Sequence, residues 1–316
     1  MTSAPWQATL TDPEHALISF FLLFAVIALT VGVIQSILTR DEIGVRYRTA
    51  TVARTALKFA AAIAYIVIAV NFQTAYIHGA SGWVPNAGAV GTFAPRYVEW
   101  AVSVPLLVVE LLAVTPIGGS ALRRTRALTA GGAFCMIFAG YVGAIVAGGD
   151  DRAQLLIWGG VSSIFWIAVT VLLVRTVRLT STRLTVESAS MLRDATTVLL
   201  SGWVIYPIVF ALQIFASGGV VTTIVQVSLC LADVSIKLGF GGLTHRVAKL
   251  RTAEDVRTGE DVHPEAVWIS SEKQSDAGSA RPVYINDDSI VHHRRERPAD
   301  SSAIAAPFEP QHSDFD

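Results

Sequence analysis

Two residues of opposite charge lie four positions apart in an otherwise apolar stretch near the end of the chain, "QVSLCLADVSIKLGFGGL". In a helix, Asp233 and Lys237 would share one face, about one turn apart. A charged lysine at the depth of the bilayer core has a high free-energy cost, so it usually has a partner or a function. Its amine can also form a Schiff base with an aldehyde. The spacing therefore predicts either an ion pair that holds helices together or a covalent site for a carbonyl ligand.

A second apolar stretch, "PRYVEWAVSVPLLVVELLAV" at 95–114, carries an arginine and two glutamates. Glu99 and Ser103 share a helix face, and Arg96 lies about one turn before Glu99. Glu110 comes eleven residues after Glu99, on nearly the same face and about 16 Å further along the helix. Carboxyl and hydroxyl groups at successive depths predict a proton relay.

Aromatic residues recur at helical spacing in "SGWVIYPIVF", which contains Trp203, Tyr206 and Phe210. Alone, such a stripe is more often core packing than a ligand site. Trp100, beside Glu99, supplies a second indole. Two indole faces around a buried lysine suit a long planar polyene.

The composition excludes an ordinary soluble protein, since 52% of the 316 residues are hydrophobic, only 16% are charged, and the mean hydropathy is +0.52. A bilayer core of ~30 Å needs ~20 mostly apolar residues in a helix. Seven stretches reach that length: 15–38, 53–72, 97–117, 127–147, 153–175, 196–216 and 220–244. Cys135 and Cys230 stand alone in apolar segments, so we predict no disulfide and no metal site. The N-terminal "MTSAPWQATLTDPEH" has no basic region before its first apolar run, which predicts that no signal peptide is cleaved.

Charge divides the chain into two predicted domains. Residues 1–251 hold 18 Lys and Arg against 11 Asp and Glu, a net +7, whereas residues 252–316 hold 6 against 14, a net −8. Thirteen basic residues flank one side of the spans and Arg152 alone flanks the other, which predicts an outside N-terminus and a cytoplasmic C-terminus. The prediction is thus a seven-helix transmembrane domain at 1–251, followed by an acidic, mostly disordered cytoplasmic tail at 252–316.

Three motifs occur in order in the third, sixth and seventh spans: "RYVEW" with Ser103, Pro105 and Glu110 after it, "W..YP", and "DVS.K.GFG". In this combination the chain resembles the microbial (type 1) rhodopsins, such as bacteriorhodopsin and proteorhodopsin, over residues ~10–250. The resemblance implies an all-α bundle of seven transmembrane helices that binds all-trans-retinal as a protonated Schiff base on Lys237. It also implies a membrane protein that is not an enzyme and has no nucleic-acid partner.

The resemblance assigns roles to the buried charged residues. Glu99 and Asp233 would be counterions of the Schiff base, with Glu99 as primary proton acceptor and Ser103 beside it. Arg96 would neutralise the counterions on the extracellular side, and Glu110 would be the cytoplasmic proton donor. The turn at "ASGG" lacks the carboxylate pair of the bacteriorhodopsin release group.

The same resemblance implies a retinal pocket on the third to sixth spans. Trp158 is expected to close the gap through which some relatives admit a carotenoid. The expected pocket residues are Trp100, Leu107, Met136, Gly140, Trp158, Phe165, Trp203, Tyr206, Pro207 and Phe210.

Arg54 and Lys58 fall inside the cytoplasmic half of the second span. Either they extend to the interface, as long basic side chains often do, or Arg54 pairs with Glu110 at similar depth. An arginine there, with a glutamate counterion and a long tail, is similar to the cryorhodopsins, which implies a slow photocycle.

Two functions follow from the resemblance. One is a light-driven outward proton pump of the inner (plasma) membrane, because carboxyls occupy the acceptor and donor positions. The alternative is a slow sensory photoreceptor with little net transport and a cytoplasmic or membrane signalling partner. Membrane lipid and a homo-oligomer, trimer or pentamer, are the other expected partners.

Overall fold

In the computed structural model, which describes residues 4–147 and 149–260, long helices form a closed bundle. They are α1 (Asp12–Leu38), α2 (Arg48–Ala75), α3 (Ala94–Ala113), α4 (Gly119–Tyr141), α5 (Arg152–Ser181), α6 (Val186–Trp203), α7 (Ile205–Phe215), α8 (Gly219–Ser235) and α9 (Gly241–Arg257). The break at Val204 makes α6 and α7 one bent rod, and a π-helical segment, Ile236–Phe240, joins α8 to α9. Within the described residues these nine helices therefore form seven rods, as the sequence predicts.

The rods pack in chain order and close on themselves. Helix α2 lies between α1 and α3, α4 lies between α3 and α5, and α8 returns to pack against α1. Large apolar side chains such as Phe20 and Leu23 are exposed on the outside, whereas charged residues are buried within. This is the distribution expected of a protein whose solvent is lipid.

Six of the seven rods are apolar enough to cross a membrane by length and composition. The exception is α3, which carries Arg96, Glu99 and Glu110 in 20 residues, all of them buried. These three charged side chains are therefore shielded by the neighbouring rods, and α3 positions them for function.

Local sequence explains how the rods begin. The Thr11 backbone N–H donates to Glu14 Oε2 at 2.7 Å, which caps α1, and Ala153 N–H donates to Asp151 Oδ1 at 2.8 Å, which caps α5. Gly218 has a φ of +110° in the tight turn before α8, a conformation that favours glycine.

The segment between the second and third predicted spans contains structure that its composition does not reveal. Strands β1 (Tyr76–Gly79) and β2 (Gly82–Pro85) form an antiparallel hairpin, with Tyr76 opposite Pro85 and Gly79 opposite Gly82. Leu10 also bridges to Trp83, which ties the hairpin to the segment before α1.

The chain divides into two compact units after Arg251. Of the second unit, residues 252–260 are described, and α9 continues into it as far as Arg257. The helix is thus longer than the seventh predicted span. The prediction of a disordered tail concerns mainly residues 261–316, which lie outside the described residues.

Candidate functional site

Lys237 lies at the centre of the bundle between two carboxylates. Its Nζ is 3.1 Å from Glu99 Oε2 on α3 and 3.0 Å from Asp233 Oδ1, one turn earlier. All three side chains are at most 2% exposed. The structure therefore brings together the three residues that the sequence singled out, from two rods far apart in the chain.

The two carboxylates differ in their other contacts. Asp233 accepts hydrogen bonds from the Tyr65 hydroxyl at 2.7 Å, the Tyr206 hydroxyl at 2.6 Å and Trp100 Nε1 at 3.0 Å. Glu99 Oε1 is buried without a hydrogen-bond partner among the described residues. The oxygens of Asp233 are thus taken up by donors, whereas one oxygen of Glu99 has none among the described residues.

Ser103, predicted beside Glu99, is completely buried one turn further along α3. Its hydroxyl makes no hydrogen bond of regular geometry with the described residues, although it neighbours Glu99. Ser103 is thus placed to bond Glu99 after a small side-chain rotation.

Arg96 is 1% exposed and contacts neutral groups rather than the counterions. Its Nη1 donates to Gln226 Oε1 at 2.5 Å and to the Thr92 carbonyl at 3.1 Å, and its guanidinium lies 5.4 Å from the centroid of the Tyr65 ring. Within the described residues it forms no ion pair with Glu99 or Asp233 under 4 Å. Tyr65 therefore links Arg96 to Asp233, and neither Tyr65 nor Gln226 was among the predicted site residues.

A cavity of about 360 Å³ lies beside this cluster. Trp100 and Tyr206 line it and also donate hydrogen bonds to Asp233, so the cavity ends at the neighbours of Lys237. Seven of the ten predicted pocket residues line it: Trp100, Met136, Gly140, Trp203, Tyr206, Pro207 and Phe210. Tyr97, Val104, Ser162 and Trp166 line it as well and were missed, because α4 and α5 carry no motif that fixes their register.

Three predicted pocket residues do not line the cavity. Leu107 is 2% exposed and Phe165 is partly buried, and both pack in the hydrophobic core. Trp158 turns aside, and its Nε1 donates to Gln154 Oε1 at 3.1 Å.

The expectation that Trp158 closes a gap in the pocket is wrong. The wall there consists of Gly159 and Gly160, and the Phe210 ring covers the first of them. A Cβ at position 159 would lie only 2.8 Å from Phe210 Cε1. The assignment was displaced by one residue, which on a helix turns a side chain by about 100°.

A second charged cluster, the Lys58 cluster, consists of Arg54, Lys58, Ser36, Glu110 and Thr244. Arg54 and Lys58 are 4% and 2% exposed, so the alternative that they extend to the interface is wrong. Lys58 Nζ donates to Ser36 Oγ at 3.0 Å. Glu110 accepts a short hydrogen bond from the Thr244 hydroxyl, and its Oε2 has no partner among the described residues.

The predicted pair between Arg54 and Glu110 is not a direct contact. Arg54 Nη2 instead donates to Thr39 Oγ1 at 2.9 Å and lies 3.5 Å from the Ser36 carbonyl. No ion pair under 4 Å joins Arg54 to Glu110 in the described part of the chain. The charge of Arg54 reaches Glu110 only through space.

A third cluster lies where the α1–α2 connection meets α9. Glu42 Oε2 accepts from His245 Nε2 at 2.9 Å and from Lys249 Nζ at 3.0 Å, and Glu42 is 32% exposed. Partial burial raises the pKa of Glu42, but these two hydrogen bonds and the neighbouring positive charge outweigh it and hold the pKa below its usual range. Glu42 is therefore ionised at neutral pH.

Comparison with known proteins identifies this arrangement. The family model described as bacteriorhodopsin-like protein matches residues 16–250. The chain belongs to this family. It is a microbial rhodopsin, and members of the family are light-driven pumps or light sensors rather than enzymes.

Individual relatives are distant. Sensory rhodopsin-2 of Natronomonas pharaonis is 26% identical over 197 residues, which are 61% of this chain and 74% of that protein. The structure of xanthorhodopsin, a light-driven ion pump with dual chromophore, is similar with a TM-score of 0.72 and 26% identity, over 78% of this chain and 98% of that one. The structure of Exiguobacterium sibiricum rhodopsin is similar with a TM-score of 0.67 and 22% identity, over 77% and 99% of the two chains.

The rhodopsin is a retinal protein, since its family binds retinal through a Schiff base to a lysine. The residues present fit that chromophore: Lys237 offers a buried amine beside carboxylates, and the adjoining cavity is mainly apolar and walled by Trp100 and Trp203. No group of His, Cys, Asp and Glu suited to a metal ion occurs among the described residues.

Proposed function

We propose that this rhodopsin is a light-driven outward proton pump of the plasma membrane. The observation that carries the proposal is the position of two buried carboxyl groups along α3. Glu99 is in contact with Lys237 Nζ, and Glu110 follows eleven residues later, about 16 Å further along the helix axis. A proton accepted by one and replaced from the other moves in one direction.

Retinal on Lys237 would supply the absorption of light and the energy that changes the proton affinity of this nitrogen. Glu99 is the group that receives the proton, because Oε2 is 3.1 Å from Nζ and Oε1 is free. Asp233 stays ionised, because three donors besides Lys237 hold its oxygens. The two counterions thus divide their roles: Glu99 exchanges a proton and Asp233 keeps the site polar.

Glu110 supplies the replacement proton from the opposite side. Its contact with Thr244 ties it to α9, the helix that continues from Lys237 through the π-helical segment. A movement at Lys237 can therefore pass along this rod to Thr244, and from Thr244 through the hydrogen bond to Glu110.

Release of the proton is expected to be late. The residue bonded to Arg96 is Gln226, a neutral amide that cannot hold a proton for early release. The proton therefore leaves Glu99 only after Glu110 has donated its own. The release is to the outside, because the basic residues predict an outside N-terminus and a cytoplasmic C-terminus.

The protein would function in lipid as a homo-oligomer, a trimer or a pentamer. Large apolar side chains cover the outer faces of its helices, which suits contact with lipid and with further copies.

A second candidate function is a slow photosensor. It is favoured by the buried Arg54, whose permanent positive charge near Glu110 opposes rapid proton donation, and by the similarity to sensory rhodopsin-2. Such a sensor would deliver its signal to a cytoplasmic or membrane partner, with little net transport.

Illumination of intact cells separates the two candidates. Cells that express the retinal-loaded protein should acidify an unbuffered medium, and a protonophore should abolish the signal. Cells with Lys237→Ala are the matched control for light and heating. A wild-type protein that changes colour reversibly for many seconds but moves no net protons would overturn the pump and favour the sensor.

A further inference from the structure

The Lys58 cluster contains more buried positive charge than negative charge. Arg54 and Lys58 lie four residues apart on one face of α2, where like charges repel. Glu110 is the buried carboxylate that acts on both, but it forms no ion pair under 4 Å with either within the described residues.

The Lys58 side chain has a defined position in the bundle, set by close packing and one hydrogen bond. Its side chain runs past Gly241 of α9, where a Cβ would lie 3.4 Å from Lys58 Cε and 3.3 Å from Arg54 Cγ. Its Nζ ends on Ser36 Oγ, whose own proton goes to the Gly32 carbonyl at 2.7 Å. Ser36 is therefore an acceptor for Lys58, but a neutral one.

Two buried cations beside a single carboxyl group are costly unless one of them can give up its charge. Arginine remains protonated in proteins, whereas a buried lysine can become a neutral amine. The groups that face Lys58 are Arg54 on its own helix, Ser36 on α1 and Glu110 on α3, while His245 of α9 points to Glu42. Among the charged members of the Lys58 cluster, Lys58 and Glu110 can therefore exchange protons.

We propose that Lys58 is a second proton-exchanging group and refills Glu110. At rest the amine is neutral and Glu110 carries its proton. Loss of that proton makes Glu110 an anion, and the anion draws a proton from cytoplasmic water onto Lys58 Nζ. Rotation of the flexible lysine side chain away from Ser36 then brings Nζ to Glu110 Oε2, which has no partner among the described residues. One N–H bond breaks as one O–H bond forms, which restores both groups. This inference rests on the proposed function, because it assigns the source of the proton that Glu110 delivers.

Substitution can distinguish proton exchange from a fixed positive charge. Lys58→Arg keeps the charge but cannot release a proton, and Lys58→Met removes both. If Lys58 exchanges protons, both variants should slow the recovery of the protonated Glu110 band in time-resolved infrared spectra on the order of tenfold or more. Lys249→Met, which removes a partly exposed lysine of α9, is the matched control and should leave that recovery unchanged. Recovery in Lys58→Arg at the wild-type rate would overturn the proposal.

The protonation state of Lys58 can also be measured in the resting wild-type protein. This second test does not depend on whether the larger side chain of Lys58→Arg fits beside Gly241. In the ¹⁵N NMR spectrum of lysine-labelled protein, the resonance lost in Lys58→Met should lie in the neutral-amine region at pH 8. It should move to the ammonium region as the pH falls. An ammonium resonance throughout pH 5–9 would overturn the proposal, even if the protein pumps protons. Failure of the pump would appear separately, as absent acidification of the medium by wild-type cells.

Discussion

The bundle contains two buried lysines, Lys237 and Lys58, with equally low exposure and opposite surroundings. Lys237 has two carboxylates within 3.1 Å, and one of them, Asp233, is held by three further donors. Lys58 has a serine hydroxyl at 3.0 Å, and Glu110 remains beyond ion-pair distance within the described residues. A charge on Lys237 is compensated by direct contacts with carboxylates, whereas a charge on Lys58 would not be.

The difference indicates how the charge of each site can change. Moving a proton from Lys237 to a carboxylate removes a direct ion pair in a low-dielectric interior, so the Lys237 cluster resists this change until light supplies energy. The Lys58 cluster lowers its electrostatic free energy by binding or releasing a proton. The directly paired site suits energy capture, and the site without a direct ion pair suits proton exchange with water.

The largest expected effect is the complete loss of colour in Lys237→Ala. Without the amine no Schiff base can form, so retinal added to this variant should give no visible band that hydroxylamine bleaches under light. Lys58→Met is the matched control and should keep the band, because Lys58 Nζ bonds to Ser36, away from the Lys237 cluster and the cavity. A normal band in Lys237→Ala would place the chromophore elsewhere.

Asp233→Asn should strongly destabilise the folded protein. Removing one partner of a buried ion pair costs about 3–5 kcal/mol, and thermal loss of the visible band measures the change. Glu110→Gln touches no ion pair and keeps a carbonyl oxygen that can accept from Thr244, so it should cost at most about 1 kcal/mol. Equal losses in the two variants would contradict the contrast between the clusters.

Glu110→Gln should have its main effect on kinetics. Removal of a positioned proton donor slows a proton transfer by about 10²-fold, so flash photolysis should show a prolonged deprotonated state. External azide, which carries protons in, should partly restore the rate. An unchanged decay would mean that the proton comes from another group.

Arg54→Gln should have a smaller effect in the opposite direction. A nearby positive charge favours ionised Glu110 and makes it a poorer donor, but the structure shows no direct contact. The deprotonated state should therefore decay faster by less than tenfold, whereas Arg124→Gln, at an exposed position on α4, should leave the decay unchanged. A slower decay in Arg54→Gln would show that Arg54 assists the transfer.

The smallest effect should be that of Glu42→Gln on stability. Because the pKa of Glu42 is lowered in the folded state, its ionised form stabilises the fold above the unfolded pKa of about 4.3. That contribution is lost as the pH falls through the folded pKa. Thermal denaturation should show wild type slightly more stable at pH 7 and the two proteins converging in acid. A constant difference at every pH would exclude a role for the charge.

The spans and the Asp233–Lys237 pair could be predicted from local patterns, whereas the position of Glu99 beside them was expected only from the resemblance to the rhodopsins. Apolar runs of about 20 residues define the rods, and the four-residue spacing of Asp233 and Lys237 places them together on any helix. The hairpin at Tyr76–Pro85 was not predicted, because its two strands have only four residues each, too few for a clear alternating pattern.

Other features of the site could not be predicted because they depend on helix rotation and side-chain direction. The assignment of Trp158 rather than Gly159 to the pocket wall was one residue in error on a helix without an anchoring motif. The partners of Arg96 and Arg54 are polar uncharged groups, Gln226 and Thr39, which a search for opposite charges overlooks.

Time-resolved infrared spectroscopy of the illuminated protein tests the central claim most directly, because carboxyl bands report each proton transfer. Bands assigned with Glu99→Gln and Glu110→Gln should show Glu99 gaining a proton as the Lys237 nitrogen loses one. Glu110 should lose its proton later, as that nitrogen regains one. The account is contradicted if Glu110 keeps its protonation state throughout the cycle. It is also contradicted if Glu99 returns its own proton to the nitrogen, because the two carboxyl groups would then not act on opposite sides of Lys237.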